Sequence, residues 1–382
     1  METFPFIFGR VVEGPHFINR QDEIARLQAN LSSGLNTILI SPRRWGKSSL
    51  VNTVVQSLRK NNNFRICTID LFNVRSEREF IEVYAREVLR CTSSKWEEWL
   101  ETGKKFLSRL SPRFNFGTDP VHDFSLSFNW TDVSKNLKEI LDLPEHIAKS
   151  KKIKIIICID EFQNLSYYDA SLGFQKKLRA AWQYHRHVTY CLYGSKRHMM
   201  RDIFESQSSP LYKFGEVIFL TKIATEHWIS YIRESFRKTR KIIDDKQCLE
   251  IVGYAANHPY FVQQLALKTW LLTDKKVSGD ILNKALEDIL AENSILYLRD
   301  MENLSNAQIN FLHAVCDRVQ QLTSADTLRK YEIGTSANVS KIKKALEQKE
   351  ILDFFVPYPE FIDPFFELWL KRIYFHDHPR NH

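Results

Sequence analysis

The sequence predicts an α/β fold in which a parallel sheet flanked by helices is followed by an all-α helical block and a C-terminal winged helix. Three observations support this fold class. Apolar β-branched runs alternate with amphipathic stretches up to about residue 222, helical spacing without strand signals follows to 302, and the remainder has the pattern of three short helices and a ribbon. We therefore expect a sheet domain over 1–222, a helical lid over 223–302 and a winged-helix domain with a C-terminal helix over 303–382.

Composition narrows the class of protein. The 382 residues are 43% hydrophobic and 26% charged, which is typical of soluble globular proteins with two or three domains. The N-terminus does not resemble a signal peptide, and no apolar run is long enough to span a bilayer. The six cysteines are scattered without a C-x-x-C pair, which indicates core residues in a reducing compartment and predicts a cytoplasmic protein. The net charge of +8 permits a polyanionic partner but does not require one.

The segment from Thr37 to Leu58 has the order strand, tight loop, helix. Its loop reads Ser41-Pro-Arg-Arg-Trp-Gly-Lys-Ser48, and a Gly-Lys-Ser in this context binds phosphate through backbone N–H groups at a helix start. Lys47 is expected to reach the β- and γ-phosphates and the Ser48 hydroxyl to ligate Mg²⁺. A chance Gly-Lys-Ser at a helix start is the alternative. The candidate nucleotide-binding residues here are Ser41, Pro42, Arg43, Arg44, Trp45, Gly46, Lys47, Ser48 and Ser49.

A second apolar run, from Ile153 to Ile159, ends in Asp160 and Glu161. The run predicts a strand buried on both faces of a parallel sheet, so its carboxyl end faces the crevice where ligands of such sheets bind. Asp160 is expected to hold a metal-bound water, and Glu161 to polarise the attacking water. A plain turn start would explain the pair equally well if the phosphate loop were absent.

Further strands are expected over 64–70, 187–193 and 216–220, with helices over 76–91 and 174–185. Ser195, directly after one strand, is a candidate γ-phosphate sensor, a candidate cap of a helix beginning near Lys196, or both. Residues 114–130 favour a hairpin or an edge excursion because aromatic residues alternate there, and residues 131–150 favour one helix. Asn19 is a candidate cap for the first helix, which contains Ile24, Leu27 and Leu31.

In the last section, residues 336–349 predict the third helix of the winged helix. Val339, Ile342 and Leu346 would face inward, while the outer face would carry Asn338, Lys341, Lys344 and Gln348. Entry of this helix into a DNA major groove is one interpretation, and docking against the remainder of the chain is the other. Residues 361–370 predict an apolar C-terminal helix.

With these motifs, the chain resembles the archaeal-type ATPase family of prokaryotic STAND NTPases, a branch of the AAA+-related P-loop NTPases. The resemblance covers nearly the full length. It rests on the phosphate loop and on these motifs: Asn19-Arg20 with Glu23, Cys158-Ile-Asp-Glu-Phe-Gln163, Gly194-Ser195, Pro210-Leu-Tyr-Lys213, His258-Pro-Tyr260 and Asp363-Pro-Phe-Phe-Glu-Leu-Trp369. It implies a P-loop NTPase core, ATP as the nucleotide, Pro259 as a nucleotide contact from the lid and Ser195 as the sensor. By position, Asn19 and Arg20 belong to the segment that closes over the adenine in many P-loop ATPases.

Three positions depart from that pattern. Ser41 stands in place of the first glycine of the loop, Asn257 stands where the lid motif often has glycine, and Lys213 stands where we would look for an arginine acting on a neighbouring subunit. The leading hypothesis is a Mg²⁺-dependent ATPase that acts as a nucleotide-driven conformational switch, with Lys47, Glu161 and Ser195 as catalytic residues and Ser48 and Asp160 as metal ligands. The alternatives are a DNA-binding regulator and a nucleotide-stabilised scaffold with little hydrolysis. A nucleotide-dependent homo-oligomer and a protein partner for the winged helix stay open.

Overall fold

The computed structural model describes residues 4–12, 14, 17–93, 95–110, 112–117 and 124–377, without the side chains of residues 132, 134 and 377. The chain forms two compact units. The sheet unit comprises Arg20–Thr221, and the helical unit comprises Met1–Asn19 with Lys222–His382. The predicted division into three domains stays a prediction.

The sheet unit is built on a five-stranded parallel sheet with the strand order β2-β5-β6-β1-β7. A separate antiparallel hairpin is formed by β3 and β4. The strands are β1 Thr37–Ile40, β2 Phe64–Asp70, β3 Arg113–Phe116, β4 Phe124–Ser127, β5 Lys154–Asp160, β6 Val188–Gly194 and β7 Glu216–Phe219. Asp70 pairs with Asp160 and Ile40 with Gly194, so four strands end along one edge of the sheet.

Helices flank this sheet and bury its strands. Residues 155–159 of β5 are completely buried, which explains their nearly continuous run of isoleucine. The helices are α1 Gln21–Ser33, α2 Lys47–Arg59, α3 Glu77–Thr92, α4 Trp96–Phe106, α5 Trp130–Leu141, α6 Leu143–Lys151, α7 Ser171–Trp182 and α8 Arg197–Phe204. Short 3₁₀ turns occupy Ser108–Leu110 and Phe162–Tyr167.

Two local predictions in this part of the chain need correction, and a third is confirmed. Residues 131–150 form two helices because the chain turns at Asp142, two residues before Pro144, and α5 itself is kinked at Asn136. Asn19 does not cap α1, since Arg20 occupies the capping position and no side-chain capping bond is made there. The predicted hairpin is confirmed as the β3–β4 pair, while its residues 118–123 lie outside the described residues.

The helical unit begins with four helices, as the spacing predicted. They are α9 Thr225–Lys238, α10 Asp245–Tyr254, α11 Pro259–Leu272 and α12 Gly279–Glu302. The chain continues with α13 Asn306–Cys316, α14 Ala325–Lys330, α15 Ser336–Gln348, β8 Leu352–Asp353, β9 Glu360–Phe361, α16 Pro364–Trp369, a π-helical turn Leu370–Tyr374 and α17 Phe375–Asp377. A single apolar core runs through all of this and includes Phe6 of the N-terminal segment.

The winged-helix pattern is confirmed, with two adjustments. Val339, Ile342 and Leu346 form the buried face of α15, while Lys341, Lys344 and Gln348 are exposed. Asn338 is half-buried, and its amide donates to the Ile333 carbonyl at 2.9 Å. The C-terminal helix begins at Pro364, not at 361, because Phe361 pairs in β9 and the Asp363 carboxylate caps the helix.

Among the residues that the structure describes, none of the helices combines the length and the apolar character needed to cross a membrane.

Candidate functional site

The phosphate loop, residues 41–46, joins the buried strand β1 to α2. Gly46 occupies the left-handed region at φ 87°, which a glycine adopts without strain, and it caps α2 so that Lys47 is the first helical residue. Arg44 is a second left-handed residue, at φ 63°. The loop therefore ends on a helix N-terminus, where free N–H groups and the helix dipole favour an anion.

Lys47 lies between the two carboxylates that end β5. Its side chain is only 7% exposed, and Nζ lies 3.1 Å from Oδ1 of Asp160 and 3.4 Å from Oε1 of Glu161. The Ser48 hydroxyl donates to Oδ2 of Asp160 at 3.1 Å. The structure thus brings Lys47, Ser48, Asp160 and Glu161 together, as the sequence predicted.

Glu161 is fixed by its neighbours on the carboxyl edge of the sheet. Its backbone is in the left-handed region at φ 50°, which turns the chain away from β5 and into the 3₁₀ turn. Its Oε2 accepts hydrogen bonds from the Ser195 hydroxyl at 3.0 Å and from the Gln163 amide. Ser195 does not cap α8, whose capping residue is Lys196 and makes no side-chain bond. Of the two alternatives for Ser195, contact with the site is therefore the one that the structure supports.

The two carboxyl groups differ in pKa direction. Burial raises the pKa of Asp160, and the charge of Lys47 only partly offsets that effect. Burial also acts upward on Glu161, but the charge of Lys47 and the hydrogen bonds from Gln163 and Ser195 outweigh it and leave its pKa below the ordinary value. Glu161 is accordingly held as a carboxylate at neutral pH.

Two aromatic rings support the loop and its lysine. The Tyr193 ring, buried on β6, lies 5.5 Å from Nζ of Lys47. Trp45 is 8% exposed, and the Arg197 guanidinium lies 5.7 Å from its ring centre. Both contacts place a cation over an aromatic face, a geometry that is attractive and limits side-chain movement.

The remaining loop residues surround this centre. Pro42 and Ser49 are buried, and the side chains of Arg43 and Arg44 are exposed. Ser41 is completely buried, and its hydroxyl donates to the Pro42 carbonyl at 3.1 Å. Ser41 is not among the described residues with positive φ, so the backbone here does not demand the glycine that the motif usually has.

Three other predicted residues lie elsewhere. Arg20 is buried, and its guanidinium contacts the Glu23 carboxylate at 2.6 Å and the Thr221 carbonyl at 2.8 Å. Asn19 and Pro259 belong to the helical unit. Pro259 is the first residue of α11, as predicted, and the preceding His258 side chain accepts from the Tyr260 N–H. The nucleotide-binding roles of Asn19, Arg20 and Pro259 stay predictions.

The other two departures from the resemblance also have a structural setting. Asn257 has φ 60°, a region that favours glycine and that asparagine tolerates best among the other residues. Lys213 is exposed and precedes β7, whose first residue pairs with the first residue of β1, so it lies at the sheet edge opposite the phosphate loop.

Two residues at this centre were missed as candidates from the sequence. The sequence singles out Gln163 only as part of a motif, because the turn that contains it also has the polar residues Asn164 and Ser166. Tyr193 falls within the predicted strand over 187–193 and has no signal of its own. No group of three or more His, Cys, Asp or Glu with metal-binding geometry occurs among the described residues.

The oxygen atoms present nevertheless suit magnesium. The Ser48 hydroxyl and the Asp160 carboxylate are hard ligands that already lie within hydrogen-bond distance of each other. Mg²⁺ in nucleotide sites takes only one or two protein ligands and completes its shell with phosphate oxygens and water. The residues present therefore fit such an ion.

Comparison with known proteins bears on the fold and family. Two solved structures share the fold at low sequence identity. The Walker-type ATPase PABY2304 of Pyrococcus abyssi aligns over 96% of this chain and 99% of its own with 16% identity and a TM-score of 0.67. The ORC2 protein of Aeropyrum pernix, solved as ADPNP–ADP complexes, aligns over 98% and 100% with 13% identity and a TM-score of 0.55. None of the curated proteins compared matches the chain.

Family models agree with the described architecture. A model described as a probable winged helix domain matches residues 295–372, which contain α13 to α16. A model described as an ATPase domain predominantly from Archaea matches residues 17–265, well over half of the chain and including every residue of the phosphate loop and of the β5 carboxylate pair. The chain therefore belongs to the archaeal-type family of P-loop ATPases.

Proposed function

We propose that the protein binds ATP with Mg²⁺ and hydrolyses it to ADP and phosphate, and that this cycle acts as a conformational switch. The observation that carries the proposal is the set of contacts at one sheet edge. Lys47, Ser48, Asp160, Glu161 and Ser195 are joined by hydrogen bonds and ion pairs at the end of the phosphate loop. A lysine, a hydroxyl and two carboxylates are the parts that phosphoryl transfer to water requires.

Each side chain has a distinct role in this proposal. Lys47 exchanges its carboxylate contacts for the β- and γ-phosphates, whose charge competes for the ammonium group. Ser48 and Asp160 would hold Mg²⁺, which neutralises charge on the phosphates. Glu161 orients the attacking water and accepts a proton from it, while the Ser195 hydroxyl donates to one carboxylate oxygen of Glu161. Arg43 and Arg44 add positive charge beside the loop.

The switch would act through the helical unit. In the family that the chain resembles, the lid proline contacts the nucleotide, and Pro259 occupies that position at the start of α11. Nucleotide binding would then favour one arrangement of the helical unit over another. Membership of the STAND branch and a nucleotide-dependent homo-oligomer, in which Lys213 would act on a neighbour, belong to this proposal. So does a cytoplasmic location, supported by the six free cysteines.

The direct test is ATP binding and phosphate release with Mg²⁺ for the wild type, Lys47→Ala and Glu161→Gln. We expect the wild type to turn over slowly, Lys47→Ala to lose most binding, and Glu161→Gln to bind ATP without turnover. Glutamine is nearly isosteric with glutamate but cannot accept the proton. Turnover by Glu161→Gln at the wild-type rate would remove Glu161 from its role. Tight binding without any hydrolysis by the wild type would support the scaffold instead.

Duplex DNA is a second candidate ligand. Its support is the exposed face of α15, where Lys341 and Lys344 stand one helical turn apart. The segment between β8 and β9 contains no basic residue, however, so it offers no positively charged side chain to a phosphate. The double change Lys341→Glu and Lys344→Glu should abolish salt-dependent duplex binding if DNA is the ligand. Unchanged binding would refute this candidate, and a protein partner for the winged helix would then be favoured.

A further inference from the structure

Gln163 is a buried amide in the 3₁₀ turn that follows β5. Its side chain is completely buried, Nε2 donates to Oε2 of Glu161, and Oε1 has no hydrogen-bond partner among the described residues. The opposite amide orientation would place Oε1 against a carboxylate oxygen, so electrostatics fixes which atom faces Glu161. A buried carbonyl oxygen without a partner lowers stability. Stability alone therefore does not explain a glutamine here.

The neighbouring strand leaves room for this side chain. A Cβ atom at Gly194 would lie 1.9 Å from Oε1 of Gln163 and 2.8 Å from Sδ of Met200, so any larger residue here would force these two side chains to move. Gly194 is not among the described glycines with positive φ, and space rather than backbone conformation accounts for it. Gly194, the last residue of β6, thus leaves space for the Gln163 amide. The next residue, Ser195, donates to Oε2 of Glu161, the same oxygen that the Gln163 amide contacts.

We propose that Gln163 is a positioning residue for hydrolysis: with Ser195 it holds Oε2 of Glu161, so that Oε1 is aimed at the attacking water. This inference rests on the proposed ATPase function. A carboxylate has two oxygens, and Oε2 is occupied by two donors. Oε1 is the atom that contacts Lys47, at 3.4 Å. When phosphates draw Lys47 away, Oε1 becomes available while the carboxylate keeps its orientation.

The test is Gln163→Met, which keeps the length and nearly the volume of the side chain but removes the donor. We expect ATP affinity to stay within about twofold and turnover to fall on the order of tenfold. The acidic limb of the turnover profile should move to higher pH because a hydrogen bond that favours the carboxylate is lost. The unfolding midpoint should change little, since loss of the hydrogen bond to the Glu161 carboxylate lowers stability while removal of the partnerless Oε1 raises it. A merely structural role predicts wild-type turnover per folded molecule with an unchanged pH profile, and that result would overturn the proposal.

Gln175→Met is the matched control. Gln175 is also buried, bonds through its amide nitrogen to Ser171 at 3.0 Å, and has an Oε1 without a partner in the described part of the chain. It should leave turnover and its pH profile unchanged. Gly194→Ala tests the space argument because its Cβ displaces Gln163 and Met200, and adding Gln163→Ala should restore part of the lost stability without restoring turnover. Full turnover in that double variant would also overturn the proposal.

Failure of this inference is distinguishable from failure of the ATPase proposal. An active wild type, an inactive Glu161→Gln and a fully active Gln163→Met would refute only the positioning role. A wild type without turnover, or an active Glu161→Gln, would refute hydrolysis through Glu161 and the positioning role with it.

Discussion

Replacing Lys47 by methionine should destabilise the sheet unit even when no nucleotide is present in the assay. Lys47 is 7% exposed, and its two carboxylate partners are 20% and 22% exposed, so solvent screens these pairs poorly. Each attraction, at 3.1 and 3.4 Å, amounts to about 5 kcal/mol at an effective dielectric constant near 20. Desolvation of the lysine offsets much of this, and breaking a buried pair typically costs ~3–5 kcal/mol. We expect ~3 kcal/mol at pH 8, or roughly 6–12 °C in the melting temperature.

The sign of the pH dependence follows from the carboxyl groups that remain. Without Lys47, the positive charge that lowers the pKa of both carboxyl groups is lost, while burial and the charge of Glu161 still raise the pKa of Asp160 and burial still acts upward on that of Glu161. The loss of stability caused by Lys47→Met is therefore fully present above the pKa values that the two carboxyl groups have in the folded variant. It decreases as the pH falls through those values. Thermal unfolding of the wild type and Lys47→Met at pH 8 and pH 5 measures this. The variant should lie closer to the wild type at pH 5.

Two further variants control the interpretation. Lys177→Met removes an exposed lysine that pairs with Glu77 at 2.7 Å, and it should cost less than about 1 kcal/mol at either pH. The double variant Lys47→Met with Glu161→Gln has only one carboxylate without its lysine partner. It should therefore be more stable at pH 8 than Lys47→Met alone. Equal losses at both pH values, or a loss no larger than that of Lys177→Met, would refute the electrostatic reasoning.

Three other predictions concern single positions. Because burial raises the pKa of Asp160, acidification should weaken its binding of Mg²⁺ at a higher pH than for an exposed aspartate. The Mg²⁺ concentration needed for half-maximal ATP binding should therefore increase as the pH is lowered. A Mg²⁺ concentration that stays constant from pH 8 to pH 5 in nucleotide titrations would contradict this. Ser195→Ala should reduce the rate of phosphate release while ATP affinity stays constant, since its hydroxyl contacts only Oε2 of Glu161 in the site; loss of affinity instead would assign it to binding. Asn257→Gly should be nearly neutral in thermal unfolding, whereas Asn257→Val should cost about 1–2 kcal/mol at φ 60°, and equal midpoints would argue against the left-handed conformation.

Much of the fold could be predicted because its signals are local. The isoleucine run of β5 and the Thr37–Ile40 segment are recognisable as strands since burial on both faces requires uninterrupted apolar residues. Parallel strands end at one edge, so the meeting of Lys47 with Asp160 and Glu161 followed from the order of elements alone. The buried face of α15 followed equally from helical spacing.

The errors have two origins. The break in the region 131–150 has a local signal that the prediction of one helix overlooked, since Pro144 favours the first turn of a new helix after Asp142. The others depend on tertiary contacts. Gln163 could not be placed against Glu161 from sequence because its position depends on the missing Cβ of Gly194, a residue on a different strand. The grouping of Phe6 with the helical unit is likewise a contact between segments far apart in sequence.

That grouping has a consequence for how the protein folds during synthesis. The N-terminal segment docks on residues made much later, as in the bond from the Ile7 N–H to the Gln263 side chain, 256 positions apart. The helical unit therefore cannot complete its core until the sheet unit has emerged, and the sheet unit is free to fold first. Once folded, it holds its own two ends together through the Arg20 bond to the Thr221 carbonyl at 2.8 Å. The chain therefore leaves the folded sheet unit at Thr221, close to Arg20, where it entered. This shortens the loop that must close before Phe6 is buried.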